Sequence, residues 1–208
     1  NLGLSGQPFA GPDTGGFVGN GDVAMFARWM GIGALLPFAR GHTQKGNVDK
    51  EPWSFGPAVE ATARRAIERR YRLLPYLYTL FREAHVTGLP VARPVFFADP
   101  KDPALRAVDD AFLLGRDVLV VVRVTPDGPA ANPLDSRGWL PLDLGEEADP
   151  DLPLLFIRPG AVVPLGPVMQ HTGERALDPL TLLVALAADG RAAGTLYEDA
   201  GDGFGFQR

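Results

Sequence analysis

Residues 57–87 carry the pattern that most restricts what this chain can fold into. Val59, Ala63, Ile67, Leu74, Leu77, Phe81 and Ala84 recur at helical spacing. One stripe of a long helix is therefore apolar and needs a surface to cover it. Arg64, Arg65, Arg69 and Arg70 cluster on the remaining surface and read as a solvated or ion-paired face. Pro57 suits the first helical turn, and Gly88 followed by Pro90 stops the helix. Pro75 falls inside the pattern. It has no backbone N–H and crowds the preceding turn, which predicts a kink or two helices in succession.

Beyond Gly88 the character changes. "LPVARPVFF", "VLVVVRV", "GWLPLDL", "LLFIRPGAVVPL" and "LTLLVAL" are apolar runs of strand length, separated by Pro, Gly and Asp. They predict a mainly β segment, interrupted by one short helix over about 103–114. Ahead of the long helix, residues 2–17 read as a short buried strand and a glycine turn. Residues 22–33 then read as a helix capped by Asp22, because Val23, Phe26, Ala27 and Met30 recur at three- and four-residue intervals. Residues 34–42 read as a second apolar strand ending in polar groups. Two strands with polar tips, each followed by a helix, are the unit of a (β/α) barrel, which places function at the C-terminal ends of its strands. Asp13 and His42 occupy those two ends. Two units make a quarter of an eight-unit barrel, which suggests that further chain belongs upstream.

Composition narrows the chemistry. The net charge is −5 over 208 residues, so nucleic acid and anionic membranes are not expected partners. There is no cysteine, which excludes disulfides, zinc–thiolate centres and thiol nucleophiles. No apolar run approaches the ~18–20 residues that span a bilayer. The compartment is not fixed by these features, and the cytoplasm is the expectation.

Four stretches, "GPDTGGFVGN", "ARWMGIGALLPFARGHTQKG", "EPWSFG" and "RRAIERRYRLLPYLYTLFREAHVTGLPVARPVF", together resemble the α-glucosidases of glycoside hydrolase family 31. "FIRPGAVVPLGPVMQHTGE" and "GTLYEDAGDGFGF" resemble the β-domains that follow the barrel there. The resemblance implies an α/β plus all-β fold: the end portion of a (β/α)8 TIM barrel, followed by one or two small antiparallel β-sandwich domains. Residues 1–87 would be the last two barrel units, 88–167 a proximal β-domain and 168–208 the start of a distal one. It also implies a retaining mechanism, in which two carboxyls ~5–5.5 Å apart act as nucleophile and acid/base. The family carries them in Trp-x-Asp-Met and Gly-Asp-Asn type motifs, and neither occurs here. No catalytic residue is therefore expected in this chain. Both would lie upstream, and the chain alone would be inactive.

What the resemblance leaves is sugar binding. Asp13 matches the aspartate of a Gly-Ala-Asp-x-x-Gly-Phe motif, with Pro12 in place of Ala, and would line the −1 glucose subsite. Phe17 matches the aromatic residue of the same motif. His42 matches the histidine of an Arg-Asn-His motif, with Gly41 in place of Asn and Arg40 as a structural partner. The implied ligand is an α-glucoside or malto-oligosaccharide, and no cofactor or metal is implied. Each residue also has a plainer reading: Asp13 as a turn aspartate, His42 as a loop histidine without a role, Phe17 as a core residue. At the level of the whole chain, a non-catalytic carbohydrate-binding or structural module, or an α-xylosidase of the same family, stays open. "YEDAGDG" lacks the spacing of a calcium loop and reads as a hairpin turn.

Overall fold

The computed structural model describes residues 2–123 and 131–205. Val124, at the end of the "VLVVVRV" run, and residues 206–208 lie outside them. The order is α/β followed by all-β. Strand β1 (Asp13–Thr14) pairs in parallel with β2 (Arg40–Gly41), with helix α1 (Val23–Gly33) between them and α2 (Pro57–Thr87) after. A five-stranded antiparallel sheet follows. Its strands β3 (Ala92–Pro94), β4 (Ala111–Leu114), β5 (Val118–Val121), β6 (Leu140–Pro141) and β7 (Leu154–Ile157) stand in the order β3-β4-β5-β7-β6. A two-stranded ribbon of β8 (Ala161–Leu165) and β9 (Thr181–Ala185) completes the fold. No helix is long and apolar enough to cross a membrane among the described residues.

Helices α1 and α2 form where the sequence places them. Asp22 is extended, and its carboxylate accepts the Met25 N–H at 2.8 Å, satisfying an orphan donor of α1. Helix α2 stops at Gly88, whose N–H bonds the Ala84 carbonyl at 2.9 Å. It runs as one helix through Pro75 rather than as two. One turn earlier, the Arg72 carbonyl accepts the Gly166 N–H at 2.8 Å. A residue just beyond β8 thus bonds the helix beside Tyr71, whose carbonyl the proline leaves without its helical donor.

Several strands are shorter than expected, for physical reasons. Of residues 2–17 only Asp13–Thr14 are strand, and Gly3–Ser5 form a 3-10 turn. Of residues 34–42 only Arg40–Gly41 are strand. The Arg70 guanidinium donates to the carbonyls of Ala34 (2.8 Å), Leu36 (2.6 Å) and Pro37 (3.1 Å), acceptors that a strand would offer to a neighbour. The helix expected over 103–114 is a five-residue 3-10 helix, Pro103–Ala107, and then β4. Asp102 caps its start, but Val108 is already extended, and the apolar 111–114 run pairs across a tight turn with β5. Among the described residues, no strand flanks the "YEDAGDG" segment. Asp199 there closes a turn by accepting the Gly201 N–H at 2.8 Å.

The core has two faces. Val118 and Val120 of β5 pack with Leu155 and Ile157 of β7, with Val163 and Leu165 of β8, and with Leu73, Tyr76, Leu77 and Leu80 of α2. Leu119 and Val121 point the other way, onto Leu113, Leu105, Leu134 and Trp139. Burial on both faces explains why "VLVV" is an unbroken apolar run rather than an alternating one. Strand β9 differs. Ala185 is buried and Leu183 half-buried, whereas Leu180, Leu182, Val184 and Leu186 form an exposed period-two stripe.

Much of the arginine face of α2 is ion-paired. Residues 143–151 supply Glu146 to Arg69, Glu147 and Asp149 to Arg65, and Asp151 to Arg28 of α1. Arg69 also donates to the Pro153 carbonyl at 2.8 Å, Arg72 to that of Leu144, and Thr62 to Asp149 at 2.7 Å. Arg69 is buried, at 8% side-chain exposure, while Arg64 is 65% exposed and pairs only with Glu60. Arg69→Ala, which leaves Glu146 and a carbonyl without their partner, is expected to lower stability by about 3 kcal/mol. Arg64→Ala should change it by less than about 0.5 kcal/mol. Chemical denaturation of both variants checks the contrast.

At the far end of α2, Tyr78 donates to Asp199 Oδ1 at 2.7 Å and Tyr197 donates to Oδ2 at 2.9 Å. Chiefly through the Tyr78 bond, the Asp199 carboxyl is held below its ordinary value of 3.8. The same bond is the main cause that pushes the Tyr78 hydroxyl up to about 12 from 10.0. A depressed acid contributes stability above its unfolded value, and a raised phenol contributes it below its own. The link is therefore complete from 3.8 to 10.0, and is lost as pH falls through the depressed Asp199 value or rises through about 12. Tyr78→Phe should move the Asp199 titration upward in carboxyl NMR and remove one phenolate absorbance step, the one at about 12.

Candidate functional site

The parallel pair β1–β2 sets Asp13 opposite Arg40 and Thr14 opposite Gly41. Asp13 is followed by a turn on Gly15 and Gly16, both at φ +84°, and the Gly16 N–H closes on the Asp13 carbonyl at 2.9 Å. A side chain at either glycine would strain this left-handed backbone. The turn leads the chain away from the strand tip into the loop that carries Phe17.

Asp13 is more than a turn residue. Its Oδ1 accepts both the Nε and the Nη2 of Arg40, the former at 3.1 Å. Both bonds fall on one oxygen, so Oδ2 keeps its acceptor capacity. The Asp13 side chain is 22% exposed, enough for a hydroxyl to reach it. The Arg40 guanidinium also lies over the Phe38 ring, 5.2 Å from its centroid.

Phe17 is not a core residue. It is 44% exposed and stacks on His42, with ring centroids 5.4 Å apart and planes 27° apart. The two loops are stitched together beneath this pair. The Phe17 carbonyl accepts from the Gln44 N–H (2.9 Å), the Thr43 hydroxyl (3.3 Å) and the Asn47 amide (3.3 Å). Asn20 Oδ1 accepts the Val48 N–H at 2.9 Å. The three expected residues thus fall into two pairs, Asp13 with Arg40 and Phe17 with His42, on neighbouring strand ends.

A cavity of about 500 Å3 opens beside these ends. Arg40 and His42 line it, together with Thr14, Asp49, Lys50 and Glu51. Asp13 and Phe17 stand behind Arg40 and His42 rather than in the wall itself. Sequence reasoning gave Arg40 only a structural role and did not single out Lys50. The signal for Arg40 was its register opposite Asp13, which becomes legible only once the strands are known to be parallel neighbours. Gly41 has a steric reason of its own, since a Cβ there would come within 2.8 Å of the Lys50 carbonyl oxygen. A side chain such as Asn would push the 49–51 segment outward. Among the described residues, no group of three His, Asp or Glu side chains could hold a metal ion. The wall offers a guanidinium, an imidazole and carboxylates around an open cleft, a donor–acceptor set suited to polyhydroxylated ligands.

Comparison with known proteins identifies the family. Residues 1–80 match the glycosyl hydrolases family 31 TIM-barrel domain, and residues 88–163 the glycosyl hydrolase family 31 C-terminal domain. Alpha-glucosidase 2 of Bacillus thermoamyloliquefaciens is 38% identical over 219 residues, which cover all of this chain and 28% of that protein. A probable glucan 1,3-alpha-glucosidase of Arabidopsis thaliana is 38% identical over 224 residues, which cover all of this chain and 24% of that protein. The chain thus spans about a quarter of the length of these curated relatives. The crystal structure of a family 31 alpha-glucosidase from Bacteroides thetaiotaomicron superposes with a TM-score of 0.84 at 49% identity, over 98% of this chain and 33% of that one. That of a glucosidase II alpha subunit does so with a TM-score of 0.85 at 29% identity, over 99% and 24%. Barrel segment and β-segment are matched in the same order, and the chain belongs to glycosyl hydrolase family 31.

Proposed function

We propose that this chain forms one wall of the −1 glucose subsite of a retaining α-glucosidase, whose nucleophile and acid/base lie outside the 208 residues. The observation that carries the reading is the pairing at the strand ends. Arg40 and His42 face the cavity, and Asp13 and Phe17 hold them from behind. In this reading the Arg40 guanidinium and the His42 ring form hydrogen bonds with glucose hydroxyls from the wall, while Asp13 orients Arg40 and Phe17 orients the His42 ring from behind. Hydrogen bonds that tighten as the ring flattens toward an oxocarbenium ion would raise the rate as well as the affinity. The names of the relatives, alpha-glucosidase and glucan 1,3-alpha-glucosidase, support an α-linked glucoside as the substrate class. The working division is 1–87 for the barrel units, 88–167 for a proximal β-domain and 168–208 for the start of a distal one.

Two measurements test this reading. The chain alone is expected to turn over no aryl α-glucoside, and hydrolysis by the verified 208-residue chain would overturn the assignment of both catalytic carboxyls elsewhere. Asp13→Asn removes the charge that holds Arg40, and His42→Ala removes a ring from the wall. Each is expected to weaken glucose or maltose binding about tenfold in calorimetric titration. Unchanged affinity in both variants would remove the sugar-pocket assignment.

A further inference from the structure

We infer that Lys50 is a positioning residue that fastens the Phe17 loop to the His42 loop and so sets the shape of the proposed sugar wall. The inference rests on the sugar-pocket reading above. Lys50 is 5% exposed, far below the usual state of a lysine. None of the ion pairs among the described residues involves it. Its ammonium instead donates to the Asn20 carbonyl at 2.5 Å and sits 5.2 Å from the centroid of the Phe55 ring. Phe55 is stacked on Phe26 of α1, which anchors the side chain to the helical layer.

The backbone of the same residue meets the other loop. Its carbonyl oxygen lies 2.8 Å from where a Cβ would stand on Gly41, the residue before His42. One residue therefore meets both loops: its ammonium bonds the first, and its peptide lies close against the second. Asn20 reinforces the link in the opposite direction by accepting the Val48 N–H, and the Phe17 carbonyl receives the Gln44 N–H. A buried cation held by a backbone carbonyl and a ring face is a demanding device, and its geometry matches a role of holding loop against loop. Arginine could reach the same carbonyl, whereas methionine would keep the stem and lose the donor.

The chain has three lysines, Lys45, Lys50 and Lys101, and the other two are exposed. The first test needs no variant. On reductive methylation of the folded protein, Lys45 and Lys101 should react and Lys50 should stay protected. Equal reaction at all three overturns the inference. The second test is Lys50→Met, with Lys50→Arg as the conservative control. Without sugar, the amides of Gln44 and Val48 should exchange hydrogen about tenfold faster in Lys50→Met and return toward normal in Lys50→Arg. Unchanged exchange at both amides overturns the inference. Glucose affinity should fall with the same pattern. Faster exchange with unaltered affinity would uphold the fastening and instead sink the sugar-pocket reading beneath it.

Discussion

The rest of the structure depends on the guanidinium groups along α2. Arg70 gathers three carbonyls from the chain between α1 and β2. Arg65, Arg69 and Arg72 gather carboxylates and carbonyls from residues 144–153 on the β side. One helix thereby organises loops that have no regular hydrogen-bonding pattern of their own. Guanidinium suits this work because its five donors form a rigid fork, and its charge survives partial burial. An equivalent row of leucines could cover as much area, but it would leave the carbonyls of Ala34, Leu36, Pro37 and Pro153 without donors. The ionic face is therefore chiefly a device of specificity, fixing where each loop sits, and its net stabilisation is smaller than the number of pairs suggests.

The same logic reaches the candidate site. Residues 34–39 do not extend into a long strand because the carbonyls of Ala34, Leu36 and Pro37 are already engaged by Arg70, so the chain arrives at β2 with Arg40 and Gly41 in register with β1. That short register is enough. It sets Arg40 against Asp13 and delivers His42 to the rim two residues later. The proposed wall is built less by extended sheet than by two brief strands, with loops stitched through the Phe17 carbonyl and Asn20.

Much of this was legible in the sequence. The stripe from Val59 to Ala84, the Asp22 cap, the Gly88 stop and the unbroken "VLVV" run each carry a local signal that the structure repeats. The two-strand, two-helix order, and with it the placement of Asp13 and His42 by the strand ends, was legible too. What was not legible depended on partners distant in sequence. The 34–42 segment reads as a strand until Arg70 takes its carbonyls, and residues 103–114 read as a helix until 111–114 find β5. Arg40 gains its role from a parallel neighbour 27 residues away, and Lys50 gains its burial from Phe55 and a backbone carbonyl. Each of these is a tertiary choice among locally acceptable conformations.

The exposed stripe on β9 has a consequence for how the ribbon finds its pairing. In most half-buried strands polarity sets the alignment, because a slip by one residue would turn polar groups inward. In "LTLLVAL" both sides are apolar save for Thr181, so polarity scarcely distinguishes one alignment from its neighbour. Sterics make the choice instead. Small Ala161 faces small Ala185, the Gly160 N–H bonds the Ala185 carbonyl at 2.7 Å, and at Gly194 a Cβ would collide with the Val162 oxygen. The ribbon is thus aligned by where its smallest residues allow backbones to touch.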